Sequence, residues 1–539
     1  MMLCRTLLAL VLGFVAVTSL RAEAPAVKPK LPAKLPMTGL PPSKLVPDLC
    51  GVRYRISTTS PDCQAFFDQA LGYYYSYVWM EAARSFETAL QYDPECSLAW
   101  WGLSRSLERW GKSNHTEALL KASKLQDRAS HREQQLILAS MLEKGQAPGA
   151  GDGETRKRKA IATIDNLIAL YDDDEEAWYF RAQLAGGAGL FGGQASSVPF
   201  YKALLRINPL HPGANHELLH YYENSRRPAL GWIYAENYIK SSPGIPHPFH
   251  MQAHLAMRIG KWAQTTNRSA HAIELEQAYH KDLNVKPSQD QQYSHHLETL
   301  LRSLIHDGRF AEARAIEAEQ RKCGYKSAQL WIHLHLARRD WTAARKAIDE
   351  MAKANKKDKT TPAYFFALFY LKQGEAARAL PEIEVLQHAL RARRNDKRAE
   401  LRLWETQGWY MCQTGAADAG LKLLARAVEK TKNDYSHHAW GNGASIMELW
   451  GIAALQAGRE AVAEEAFLES LAHDAGSVRA ALGMQVLCEH QGRSEEAHRF
   501  AALAQRCWNR ADPGSLTVEL VALRGELYTD ANVKPLAGE

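Results

Sequence analysis

The residues of this 539-residue chain that could do chemistry fall in two short stretches. The first is His216-Glu217-Leu218-Leu219-His220, two histidines four apart with a glutamate between them. On a helix this spacing puts both imidazoles on one face, where they can hold zinc while the glutamate serves as general base toward a metal-bound water. The second stretch repeats the histidines, because His250 and His254 follow His216 and His220 at an interval of 34. Three chemistries compete for these positions. One is a polar groove in which His211, His216, His220, Glu223, His250, His254 and Arg258 hold a peptide or an acidic ligand. Another is a metal site of His216, His220, His250, His254 and Glu223 for zinc or another divalent ion. The third is a zinc-dependent hydrolase with Glu217 as its only catalytic candidate.

The hydrolase is the weakest of the three. With 21 histidines in the chain, a five-residue match arises readily by chance. A protease also needs a third ligand and an edge strand to hold substrate; Glu236 stands at a loosely suitable distance, but helical sequence surrounds it. Other enzyme motifs fail on context. Gly187, Gly189 and Gly192 spell G-x-G-x-x-G but follow a helical stretch rather than a strand, which argues against dinucleotide binding. Gly111-Lys112-Ser113 resembles the end of a phosphate loop, but Ser106 stands where a glycine is required. No G-x-S-x-G elbow occurs.

The elements that position the histidines are read from the flanking pattern. Residues 1–22 read as an export signal: Arg5 supplies the charge, Leu7 to Val17 is apolar but too short to span a bilayer, and Ala22 offers a cleavage point. A periplasmic or secreted protein with no integral membrane segment is the expectation. Residues 23–48 are Pro-rich and read as an extended tether. Residues 1–48 hold six basic residues against two acids, four of the net +6, so the remainder is nearly neutral and no nucleic-acid footprint is expected. Beyond the signal lie Cys50, Cys63, Cys96, Cys323, Cys412, Cys488 and Cys507, an odd number without any C-x-x-C; Cys50 and Cys63 bracket a short loop and could pair.

From Ser60 the hydrophobic period becomes helical. Phe66, Ala70, Tyr73, Ala82, Phe86, Ala89 and Pro94 alternate large and small residues as two close antiparallel helices require, with Pro94 ending the second. This stretch resembles tetratricopeptide-repeat proteins, whose period is 34 residues, and Gly451, Ala454, Ala463 and Phe467 carry the same pattern late in the chain. Pro209 and Pro243 are again 34 apart, which makes Pro212 the first residue of a helix. The resemblance implies that His216, His220, His250, His254 and Arg258 face a concave ligand groove from adjacent helices. More narrowly, His211-Pro-Gly-Ala with His216, His220, Glu223 and Ser225, followed by His250-Met251, His254, Arg258 and Gly260, resembles a group of exported bacterial repeat proteins. Glu217 lies outside their shared pattern, and no assigned activity accompanies it.

The sequence therefore predicts an all-α, right-handed solenoid of tetratricopeptide-like hairpins. An N-terminal array spans 49–283, a break falls near 284–290, a second array spans 284–512, and 513–539 is a tail. The function expected is a non-enzymatic exported scaffold that binds a protein or peptide, without a required cofactor. The alternative is a metal-binding protein or zinc hydrolase.

Overall fold

A computed structural model describes residues 29–186, 193–354, 356–392, 396–432 and 443–527. The export signal at 1–22 and the glycines 187–192 lie outside the described residues. All regular secondary structure among the described residues is helical, twenty-five α-helices strung as antiparallel hairpins. The protein is an all-α, tetratricopeptide-like solenoid.

The repeat pattern produces the packing it requires. Phe86, at the centre of the helix Trp79–Tyr92, presses on Gly102 of the next hairpin so closely that a Cβ there would stand 2.4 Å from its ring. Far along the chain Phe467 does the same between Gly451 and Gly483, again with 2.4 Å to an added Cβ on either side. An aromatic held between small residues of successive hairpins fixes their spacing at interior packing density.

Two large apolar cores result. One runs from Leu49 to Ile245 and the other from Ile273 to Leu523. Between them lies a small cluster of Leu219, Ala235, Tyr238, Met251 and Leu255. The hairpins that carry the histidines form this junction. At the break near 284–290 the helix Trp262–Asp282 ends and a short turn leads directly into the helix Tyr293–His306, so hairpin stacking continues across it.

The C-terminal array curls back on the junction at which it begins, reaching Trp262 as well as His306 and Gly308. Trp508 Nε1 donates to the His306 carbonyl at 2.7 Å, Asp512 N donates to the Gly308 carbonyl at 3.0 Å, and Trp262 Nε1 donates to Asp474 Oδ1 at 2.9 Å. Gly308 has φ +69° and lies against Trp508, so the turn needs a residue without a side chain both for conformation and for space.

The structure adds three details to this reading of the chain. Residues 29–48 are irregular but packed: Leu35 is buried, Thr38 N donates to Glu87 at 2.8 Å, and Val46 N donates to Gln69 at 2.8 Å. Buried carboxylate and amide acceptors on the first hairpin draw in the backbone donors that the prolines leave over. The tail at 513–539 begins with the helix Ser515–Leu527, whose Glu519 pairs with Arg479 at 2.7 Å. The Cys50–Cys63 disulfide is not formed. Cys50 docks beside Ser242, 3.2 Å from its hydroxyl, while Cys63 is buried in the first helix, and all seven described cysteines are thiols.

Candidate metal centre

Two helices carry most of the site. In Pro212–Glu223, the residues His216, His220 and Glu223 stand at i, i+4 and i+7; in Pro246–Arg258, His247, His250 and His254 stand at i, i+3 and i+7. Each set occupies one face. Both helices begin with proline, as their register demands. A third helix, Tyr293–His306, adds His295 and His296.

The tertiary structure sorts these residues into two groups. His216, His220 and His247 place one ligand atom each within 4.8 Å of one another, and so do His250, His254 and His295. The four histidines expected to form one site are thus divided between two, and each pair gains a partner that the sequence reading missed. His247 is signalled only by its position three residues before His250, and His295 by the histidine dipeptide that opens the next hairpin.

The hydrogen bonds fix how the rings present themselves. His216 Nδ1 donates to the Tyr75 carbonyl at 2.6 Å, which leaves Nε2 as a lone pair, and that atom lies 3.0 Å from His247 Nε2. At 3.0 Å the two nitrogens are in hydrogen-bond reach of each other, and because two nitrogens on one tetrahedral zinc at about 2.0–2.1 Å stand about 3.3 Å apart, they need move only slightly to share an ion. His254 Nδ1 donates to Glu223 Oε1 at 2.9 Å, and His220 Nδ1 lies 3.6 Å from Glu223 Oε2. An imidazole held this way by a carboxylate is oriented as metal-ligating histidines are. Four ring nitrogens lack partners: His220 Nε2, His247 Nδ1 and both nitrogens of His250 are buried without a hydrogen bond, whereas His254 Nε2 lies 3.4 Å from the Thr299 hydroxyl. Buried polar atoms are rarely left so.

Electrostatics keeps three of the rings neutral. Burial holds His216, His247 and His250 well below the usual histidine range, and neighbouring imidazoles push them further. Burial alone would neutralise Glu223, but His254 and His220 hold its carboxyl well below the usual range. Neutral His216, His247 and His250 in company with the ionised Glu223 suit a borderline metal ion.

The other expected residues do different work. His211 caps the helix Pro212–Glu223: its Nδ1 accepts the Ala214 N–H at 3.1 Å while its ring lies against Tyr75 and Tyr179, and burial lowers it to about 3. Arg258 Nε donates to the Glu223 carbonyl at 3.0 Å and so ties the ends of the two histidine helices together. Glu217 is buried, and its Oε1 accepts the Tyr77 hydroxyl at 2.8 Å and the Tyr179 hydroxyl at 3.5 Å. Its carboxyl is raised by burial. Tyr77, held at φ +60°, lays its ring 4.4 Å from that of His216 and walls the first cluster. Glu236 accepts from the Trp232 indole at 2.9 Å on the exposed side of its helix, apart from both clusters.

No protein-family profile and no curated protein matches the sequence. Among solved structures it is similar to yeast Tom70, with 12% identity, 73% of this chain and 89% of that one covered, and a TM-score of 0.34. It is also similar to the APC/C hetero-tetramer Cut9–Hcn1, with 12% identity, 86% and 76% covered, and a TM-score of 0.29. IFIT1, as a monomeric mutant with Gppp-AAAA, matches at 12% identity over 83% and 91% with a TM-score of 0.28. Likeness at this level carries nothing about function.

Proposed function

We propose that the protein is an exported helical-repeat scaffold whose functional centre is a buried histidine chamber for a divalent d-block ion, zinc being the first candidate. The observation that carries this reading is the pair of three-histidine groups, each with its ligand atoms within 4.8 Å. The neutral rings, the Tyr75 and Glu223 contacts that orient them, and the partnerless nitrogens all support it. Burial separates it from a peptide groove. His216 and His250 have 0% exposed surface, so a bare ion reaches them where a peptide does not.

A closed or binding site suits the surroundings better than a hydrolase. Glu217 is engaged by two tyrosines, and no strand occurs among the described residues to align an extended substrate. The test is metal analysis of the tag-free protein after loading with zinc and dialysis. Stoichiometric zinc that is lost in a variant combining His220→Ala and His254→Ala is the expected result. A metal-free wild type, with its fold verified by circular dichroism, would overturn the reading.

A further inference from the structure

Resting on that reading, we infer that the chamber holds two ions rather than one, and that Glu223 is the positioning residue shared between them. The two groups have no histidine in common, and the six ligand atoms do not fall within one sphere. Each group supplies three imidazoles, the protein complement of an open tetrahedral site. The second group is the more accessible, because His295 is only partly buried whereas His216, His220 and His247 are all enclosed.

Glu223 makes the two sites one device. Its Oε1 receives His254 Nδ1 at 2.9 Å, and its Oε2, which makes no hydrogen bond, faces His220 Nδ1 at 3.6 Å as an ionic contact, so one carboxylate reaches one ligand in each group through different oxygens. With an ion in each group, its negative charge would also lower their mutual repulsion. No other carboxylate is within 4.0 Å of both of these histidines among the described ion pairs. Glutamine has the same shape but no charge and only one acceptor oxygen; it can keep the His254 hydrogen bond but turns an amide N–H toward His220 in place of an anionic oxygen. Glu223→Gln therefore serves one group and fails the other.

The experiment is titration of the metal-free, tag-free full chain with Co²⁺, read by visible absorption, and with Zn²⁺ against a chromophoric chelator. Two equivalents are expected for wild type, and one each for His247→Ala and His295→Ala. Glu223→Gln should retain one equivalent near wild-type affinity while the other weakens about 10- to 100-fold, the usual cost of losing an outer partner of a metal ligand. One equivalent in wild type would overturn the two-ion inference and leave the metal-binding function standing; no binding would overturn both. Glu223→Ala, which removes both oxygens, should weaken both equivalents; weakening of only one in Glu223→Ala, or of neither in Glu223→Gln, would remove its shared role. The wild-type stoichiometry needs no variant, and His295, being partly buried, is the substitution least disruptive to folding.

Discussion

At the scale of single residues, the glutamate that makes His216-Glu-Leu-Leu-His220 look hydrolytic is a structural acceptor. Tyr77 and Tyr179 donate to Glu217, and glutamine can accept both phenols. Glu217→Gln should leave the bound-metal content unchanged and cost at most about 1 kcal/mol in denaturant unfolding, the net worth of a typical hydrogen bond. Loss of metal in this variant would show that the carboxylate belongs to the site. Buried imidazoles also set a pH dependence. His211 is lowered to about 3 and His296 to about 4 by burial, and His216, His247 and His250 are lowered with them. A depressed folded value means that the unfolded chain takes up the proton first. The contribution of these rings to the stability of the metal-free protein is therefore full above about pH 6.5 and falls toward pH 4, by about 1.4 kcal/mol per pH unit for each proton taken up. Buried Glu176 and Glu405, raised to about 8 and about 7, act with the opposite sign over the same range. His211→Asn, which keeps a capping side chain but removes the titrating ring, isolates one histidine: its urea unfolding midpoint should fall less than that of wild type between pH 7.5 and 4.5, and an equal fall would contradict the burial of His211 as a neutral group.

At the scale of elements, the closure of the C-terminal array depends on an aromatic and ionic clasp. His306 stacks on Trp262 with ring centroids 3.5 Å apart, and its Nε2 lies 2.9 Å from Asp474, which also accepts from Trp262. Burial opposes its charge, but Asp474 and Asp307 override this and raise it to about 9. Here the sign is opposite to that of the histidine chamber. Below about pH 6.5 the ring is protonated whether folded or unfolded and the clasp contributes fully; its contribution fades as pH rises to about 9. The shift bounds that contribution at about 3 kcal/mol. Asp474→Asn should lower stability at pH 6 and narrow the difference from wild type at pH 9, followed by urea unfolding at both values. Gly476 N also donates to Asp474 Oδ1 at 2.9 Å, and an equal deficit at both pH values would assign the loss to the Trp262 and Gly476 hydrogen bonds alone.

At the scale of the whole molecule, the histidines sit where the apolar core is interrupted. Leu219, Ala235, Tyr238, Met251 and Leu255 are a slight cluster between two cores that each span many hairpins. Ions bound by the helices 212–223, 246–258 and 293–306 would cross-link three successive hairpins at this weak point. Calorimetry of the metal-free protein should resolve two transitions, one per large core, that merge and rise when zinc is added. At a free concentration 100 times the dissociation constant each ion stabilises the folded state by about 2.7 kcal/mol. An unchanged thermogram with metal bound would place the ions away from the junction.

What the sequence determined by itself was local or periodic. The spacing of Phe66, Ala70, Phe86 and Ala89 settles a helical hairpin, because small residues must fall where two helices touch. The i, i+4 geometry puts His216 with His220 and His250 with His254 on single faces, since 3.6 residues per turn requires it. The tertiary structure decided which faces meet. His247 shares a helix with His250 but joins His216 and His220 on the neighbouring helix, and His295 reaches His250 from beyond the break at 284–290. That break sets His295 45 residues after His250 instead of 34, so it falls out of the repeat register. Glu223 was legible as a member of its helix face, but not as a carboxylate reaching toward both groups. Likewise the packing of residues 29–48 and the clasp between Trp262, His306 and Asp474 join positions far apart in the chain. A repeat period carries no information about such contacts, because they follow from how a curved stack of hairpins brings distant turns together.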